Sequence, residues 1–208
     1  MGASKIMVIR HAEKPGKYNG VKYHGVTATG EKCKESLVTL GWERAGALVG
    51  LFVPPWGPVS EDLATPAHLF AADPSEDSGE GPSADQSEDG PSQRPYETLT
   101  AVAAKLRCSI DTGFKKACFK HMADAALACQ GVVLIAWQHQ CIPDMADHFL
   151  KQTGTPAGSF PIPQKWCGDR YDLVWVFDRH EGSGPIKHFT QVPQLLLAGD
   201  KDSVLPTS

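Results

Sequence analysis

The sequence has no apolar run approaching the roughly 18 residues needed to cross a bilayer, so no transmembrane helix is expected. Its opening residues, MGASKIMVIR, lack the long apolar stretch and small-residue cleavage site of a secretory signal. They also lack a myristoylation pattern, because Ile6 stands where serine or threonine is required. The expectation is a cytoplasmic protein with no membrane partner. No two cysteines form C-x-x-C, and the six at positions 33, 108, 118, 129, 141 and 167 are expected to be free, mostly buried thiols. No internal repeat is visible. A large excess of either charge is missing too: a formal net charge of −4 over 208 residues gives no ground for a nucleic-acid partner. Oligomeric state is not readable.

One stretch lacks basic residues altogether. Asp73–Gln93 carries seven acids with many Ser, Gly and Pro, and no Lys or Arg. Such a segment buries too little apolar surface to offset the entropy of ordering it, so a disordered acidic insertion is expected at 73–93. Setting it aside leaves 17 acids against 20 basic residues, a balance of +3 that suits an anionic ligand. The patterns on either side need each other. One domain over residues 1–208 is therefore expected, a length suited to one sizeable core.

What is present alternates between fully apolar strands and helices. Lys5–Ile9 reads as a buried strand, Leu69–Ala72 as a second, and Val132–Trp137 as the central one. Leu173–Phe177 is another, and His188–Val192 an edge strand. Thr39–Phe52 places Trp42, Ala45, Leu48, Val49 and Phe52 on one helical face and ends at Val53-Pro54-Pro55, since proline cannot continue a helix. Further helices are expected from Pro95 to about Arg107, over Phe119–Cys129 with Gly131 as cap, and over Ile142–Gln152. Gly16–Thr29 reads as loop. The alternation predicts a three-layer α/β/α sandwich around a mostly parallel sheet.

Three segments place chemistry at strand ends or a helix start: Arg10-His11-Ala12-Glu13-Lys14-Pro15, Gln93-Arg94-Pro95-Tyr96-Glu97-Thr98-Leu99, and Trp137-Gln138-His139. Ligands of open α/β sheets collect beyond the carboxyl ends of the strands, so His11 and His139 are expected at one site. Arginine forks and helix N-termini suit a phosphate there, and a neutral imidazole can attack phosphorus. The alternative for His11 and His139 is a strand-end histidine held by local hydrogen bonds; for Arg94 it is an exposed arginine. Asp144 and His148 are spaced for a metal, but core packing and surface charge explain them better. Cys141 lies close to His139, yet no cysteine is followed six positions later by an arginine, as cysteine-dependent phosphatases require.

The run R-H-A-E-K-P after an N-terminal strand resembles the R-H-G signature of the histidine phosphatase (phosphoglycerate mutase-like) superfamily. W-E-R-A-G-A-L resembles that family's first long helix, Arg94 with Glu97-Thr98-Leu99 its second-arginine segment, and His139 after VVLIAW its second histidine. The resemblance runs from about Lys5 to Leu150 and more weakly to Asp178. It implies a phosphoglycerate mutase-like fold and hydrolysis or transfer of a phosphoryl group from a small phosphorylated metabolite. His11 would accept the phosphoryl group, and Arg10, Arg94 and His139 would form the anion pocket. No metal or organic cofactor is implied. Glu13, Lys14, Gln138 and Gln140 flank these positions and are the candidates for substrate contact, with a solvated loop charge as the alternative for Glu13 and Lys14. Two departures stand out. Ala12 replaces the usual glycine, and the proton donor has no counterpart: Gln140 occupies one carboxylate position and Phe114–His121 contains no acid. A catalytically impaired relative that binds phosphorylated ligands or a protein partner, or a lyase or cyclase reusing the pocket, are the rival expectations.

Overall fold

The computed structural model describes residues 1–18, 20–75 and 92–207. Its centre is a six-stranded, mostly parallel sheet in the order β5-β4-β6-β1-β7-β8. These strands are β1 (Ala3–Arg10), β4 (His68–Ala71), β5 (Ile110–Asp111), β6 (Gly131–Trp137), β7 (Leu173–Arg179) and β8 (Ile186–Pro193). The pairs β5–β4, β4–β6 and β6–β1 are parallel, whereas β7 and β8 run antiparallel to their neighbours.

The apolar strands are buried on both faces because helices cover both. Strand side chains alternate between faces. Ile6, Val8, Val133, Ile135, Trp175 and Phe177 therefore pack with helices α3 (Phe119–Ala128) and α4 (Ile142–Gln152). Met7, Ile9, Leu134, Ala136, Val174 and Val176 pack instead with α1 (Thr39–Phe52) and α2 (Arg94–Leu106). This is helix, sheet, helix. Among the described residues, no helix is long and apolar enough to cross a membrane.

Several details differ from the sequence expectation. Gly16–Thr29, read as loop, contains a small hairpin of β2 (Gly16–Tyr18) and β3 (Val21–Tyr23). Gly131 does not cap α3: it opens β6 at φ 86°, and the helix already stops at Cys129. All six cysteines are free, as expected, but half-buried rather than buried. The acidic insertion expected at 73–93 lies largely outside the described residues. Its two ends are described and bonded: Asp73 N donates to Phe114 O at 2.9 Å, Gln93 N to Glu35 O at 3.2 Å, and Gln93 Nε2 to Pro74 O at 3.1 Å.

Candidate active site

Strand register brings the two histidines together. β1 and β6 are parallel neighbours with Arg10 opposite Trp137, so both chains leave the sheet at the same edge. His11 N then donates to Trp137 O at 2.9 Å, which ties the first residue past β1 to the last of β6. The loop after β1 is further held from α2. Ala12 N donates to Thr98 Oγ1 at 2.9 Å, and that hydroxyl donates to Arg94 O at 2.6 Å. α2 starts at Arg94, with Pro95 in its first turn, so the arginine stands at a helix N-terminus beside this loop.

A cavity of about 70 Å³ opens at this edge. His11, Arg94 and His139 line it, with Lys14, Gln138 and Gln140. Two described residues not singled out from sequence, Ser92 and Lys116, line it too. A water needs about 10–15 Å³ of such space, so the cavity has room for a phosphoryl-sized group. Among the described residues, Ser92 Oγ, Arg94 Nε and Gln138 Oε1 are buried with no hydrogen-bond partner. Buried polar atoms are ordinarily satisfied, so such a cluster is suited to a polar ligand.

His11 is 4% exposed. Its Nδ1 lies 2.7 Å from Ala12 O. A carbonyl only accepts, so Nδ1 carries the proton and Nε2 keeps its lone pair. Burial, followed by the charges of Arg10 and Arg94, holds the imidazole pKa well below 6.5, against a smaller opposing effect of the Ala12 carbonyl. The ring is therefore neutral at physiological pH, the form needed in a nucleophile.

Arg10 is placed differently from Arg94. It does not line the cavity; its guanidinium is packed behind His11. Nη1 donates to Gly168 O at 2.6 Å and Arg170 O at 3.2 Å, Nη2 to Tyr171 Oη at 3.1 Å, and the fork stacks 3.8 Å from the Tyr171 ring centroid. Among the described residues its Nε has no partner. Arg10 thus fastens the 168–171 loop to the site, and Gly168 sits where an added Cβ would lie 3.6 Å from His139 Nε2. Arg94 reaches Lys34 O at 3.2 Å through Nη1. Burial lowers its pKa, an effect that Glu35 partly opposes.

Glu13 was expected to contact substrate, and the geometry places it elsewhere. Its carboxylate accepts from Arg44 Nε at 3.0 and 3.2 Å and from Nη2 at 2.8 Å, and it is 3% exposed. A buried arginine needs a counter-charge, and Glu13 supplies it. Lys14 stays at the cavity, its carbonyl accepting from Tyr18 Oη at 2.6 Å. His148, weighed as a metal ligand with Asp144, instead bonds Asp124 at 2.7 Å. Among the described residues no group of three or more His, Cys, Asp or Glu could hold a metal ion. Ser92 was hidden within the composition of the insertion. Lys116 lies in a short 3₁₀ turn, Lys116–Cys118, after a two-residue strand too short to read.

Compared with models of known protein families and with curated proteins, the chain matches none.

Proposed function

We propose that this protein hydrolyses or transfers the phosphoryl group of small phosphorylated compounds through a phosphohistidine on His11, as members of the histidine phosphatase superfamily do. One observation carries the reading. A neutral imidazole with its Nε2 lone pair available shares a cavity with Arg94 and His139. In the first step Nε2 attacks phosphorus, the P–N bond forms, and the ester P–O bond breaks with its electrons leaving on oxygen. Charge on the equatorial oxygens would be met by the Arg94 fork, by His139 and by the amide of Gln138. Water then attacks the phosphohistidine and returns the electron pair to Nε2. The chain's own residues supply every role named here, and no cofactor enters the scheme.

The test is direct. The full chain with 4-nitrophenyl phosphate, quenched without acid, should give an acid-labile adduct on His11. His11→Ala should remove the adduct and lower kcat by at least about 10³-fold, as loss of a nucleophile does in other hydrolases. Near-normal turnover by that variant would discard the mechanism. A second reading has its own observation in the sequence: Gln140 follows His139 where some members of the family carry a carboxylate. A protein that binds phosphorylated ligands without cleaving them would show saturable binding of inorganic phosphate and neither turnover nor adduct.

A further inference from the structure

We propose that Tyr18 and Tyr171 are positioning residues for His11: a directed chain of hydrogen bonds through their hydroxyls clasps the loop from Arg10 to Lys14, which carries the nucleophile. The clasp rests on geometry, and its effect on turnover rests on the phosphoryl-transfer reading above.

The direction of the chain follows from its two ends. A guanidinium only donates and a backbone carbonyl only accepts. Arg10 Nη2 donates to Tyr171 Oη at 3.1 Å, and Tyr18 Oη donates to Lys14 O at 2.6 Å. Each phenol has one proton. That of Tyr18 is engaged by Lys14 O, so the 3.4 Å contact between the two hydroxyls runs from Tyr171 to Tyr18. Every step from Arg10 through Tyr171 and Tyr18 to Lys14 O thus donates the same way, an arrangement in which successive bonds polarise one another. The middle step is the longest and, on its own, the weakest. Burial, followed by the bond with Tyr171, pushes the Tyr18 pKa up, so its hydroxyl keeps the proton that the chain needs.

The chain meets the loop at both ends. Arg10 is the last residue of β1, and Lys14 lies four positions on. Between them, His11 N is tied to Trp137 O, Ala12 N to Thr98 Oγ1, and Glu13 O to Val38 N. The Ala12 carbonyl that fixes the His11 tautomer lies within this span. A reacting group misplaced by about 1 Å can lose about 10² in rate, so holding both ends of the loop bears directly on attack.

Each tyrosine is held in turn. Tyr171 is buried, and its ring stacks 3.8 Å from the Arg10 guanidinium and 6.2 Å from the His11 ring. Tyr18 ends β2, and Tyr23 of β3 packs edge-on against it with ring centroids 5.7 Å apart. The hairpin β2–β3 thereby presents one hydroxyl to the loop that bears His11.

The experiment is a double-mutant cycle on the full chain with 4-nitrophenyl phosphate, with the His11 ring followed by NMR. Phenylalanine keeps each ring and removes its hydroxyl. Tyr171→Phe should lower kcat by about tenfold, the size of a hydrogen bond to a charged group, and change KM by less than about twofold. Tyr18→Phe should lower kcat by about threefold. The double variant should fall clearly short of the product, about thirtyfold, because the second change acts on a chain already broken. Tyr171→Leu also removes the stack and should raise the His11 midpoint toward 6.5, as the Arg10 charge is released from beside the ring. Losses that multiply, or an unmoved midpoint in Tyr171→Leu, with the His11 adduct still formed, overturn the clasp and leave phosphoryl transfer standing. A raised midpoint, in a protein whose parent forms no adduct and turns over no aryl phosphate, keeps the clasp and overturns phosphoryl transfer.

Discussion

His11 sits between a carbonyl that fixes its tautomer and two arginines whose charge keeps a second proton off the ring. An imidazole normally titrates near 6.5. Burial first, then Arg10 and Arg94, lower this one, so NMR titration of the His11 ring should place its midpoint clearly below 6.5. Arg94→Met should move it back upward, because one of the opposing charges is gone. A midpoint at or above 6.5 in the unaltered protein would contradict the electrostatics described. Unfolded His11 takes up its proton near pH 6.5 and folded His11 only at lower pH, so its contribution is harmless above 6.5 and destabilising as pH falls below that value. His11, Arg94 and His139 were legible in sequence because residues at strand ends and helix starts have few places to go. Glu13 was misread because its partner, Arg44, lies 31 positions away on a helix. Ser92 was missed because composition describes a segment, not the geometry of its last residues.

α1 contains three glycines with different surroundings. A Cβ on Gly41 would lie 2.7 Å from Glu13 O and 3.0 Å from Glu13 N, so the helix crosses the loop after β1 almost in backbone contact. A Cβ on Gly46 or Gly50 would meet nothing within 4 Å. Glycine costs a helix interior about 1 kcal/mol relative to alanine. Gly46→Ala and Gly50→Ala should therefore each stabilise the protein by about 0.5–1 kcal/mol in urea unfolding. Gly41→Ala should destabilise it and slow turnover, since Glu13 lies two residues from His11. A stabilising Gly41→Ala would show that the loop yields freely. Elements of this kind were well marked in sequence: α1 and α4 begin and end where periodicity and proline put them. The hairpin β2–β3 and strand β5 were not, because two or three exposed or isolated residues carry no period. Strand direction left no trace either. β7 is as apolar as a parallel central strand, because burial on both faces selects the same residues whichever way the strand runs.

Residues 194–203 return to lock the loop after β1 through one buried arginine. Arg44 of α1 binds Glu13 after β1, while its Nη1 and Nη2 donate to Asp200 at 3.0 and 2.7 Å and Nη1 to Gln194 at 3.0 Å. Asp200 in turn accepts from Leu196 N and Leu197 N. A second arginine repeats the device: Arg170 pairs with Asp172 at 2.7 Å and donates to Ser203 O at 2.6 Å, and Asp172 accepts from Lys201 N. None of this was visible in sequence, where Arg44 stood within the W-E-R-A-G-A-L helix motif. Replacing Arg44 by Met keeps much of the volume and removes the charge shared by two buried carboxylates. Stranding one partner of a buried pair costs about 3–5 kcal/mol, so urea unfolding of Arg44→Met at pH 7 should show a loss of that size. The pH dependence distinguishes electrostatics from packing. Burial pushes the Asp200 carboxyl up, but bonds from Arg44 and the Leu196 and Leu197 amides override it, and the net pKa is lowered. Its stabilising contribution is present above the unfolded carboxyl value of about 3.9 and is lost only as pH falls through the lower folded value. In Arg44→Met the burial effect is unopposed by that charge, so the carboxyl takes up a proton at higher pH and relieves its own strain. The gap between variant and parent should therefore narrow on going from pH 7 to pH 5. A gap that is constant over that range would assign the loss to packing, and a loss below about 1 kcal/mol would mean that water already reaches the pair.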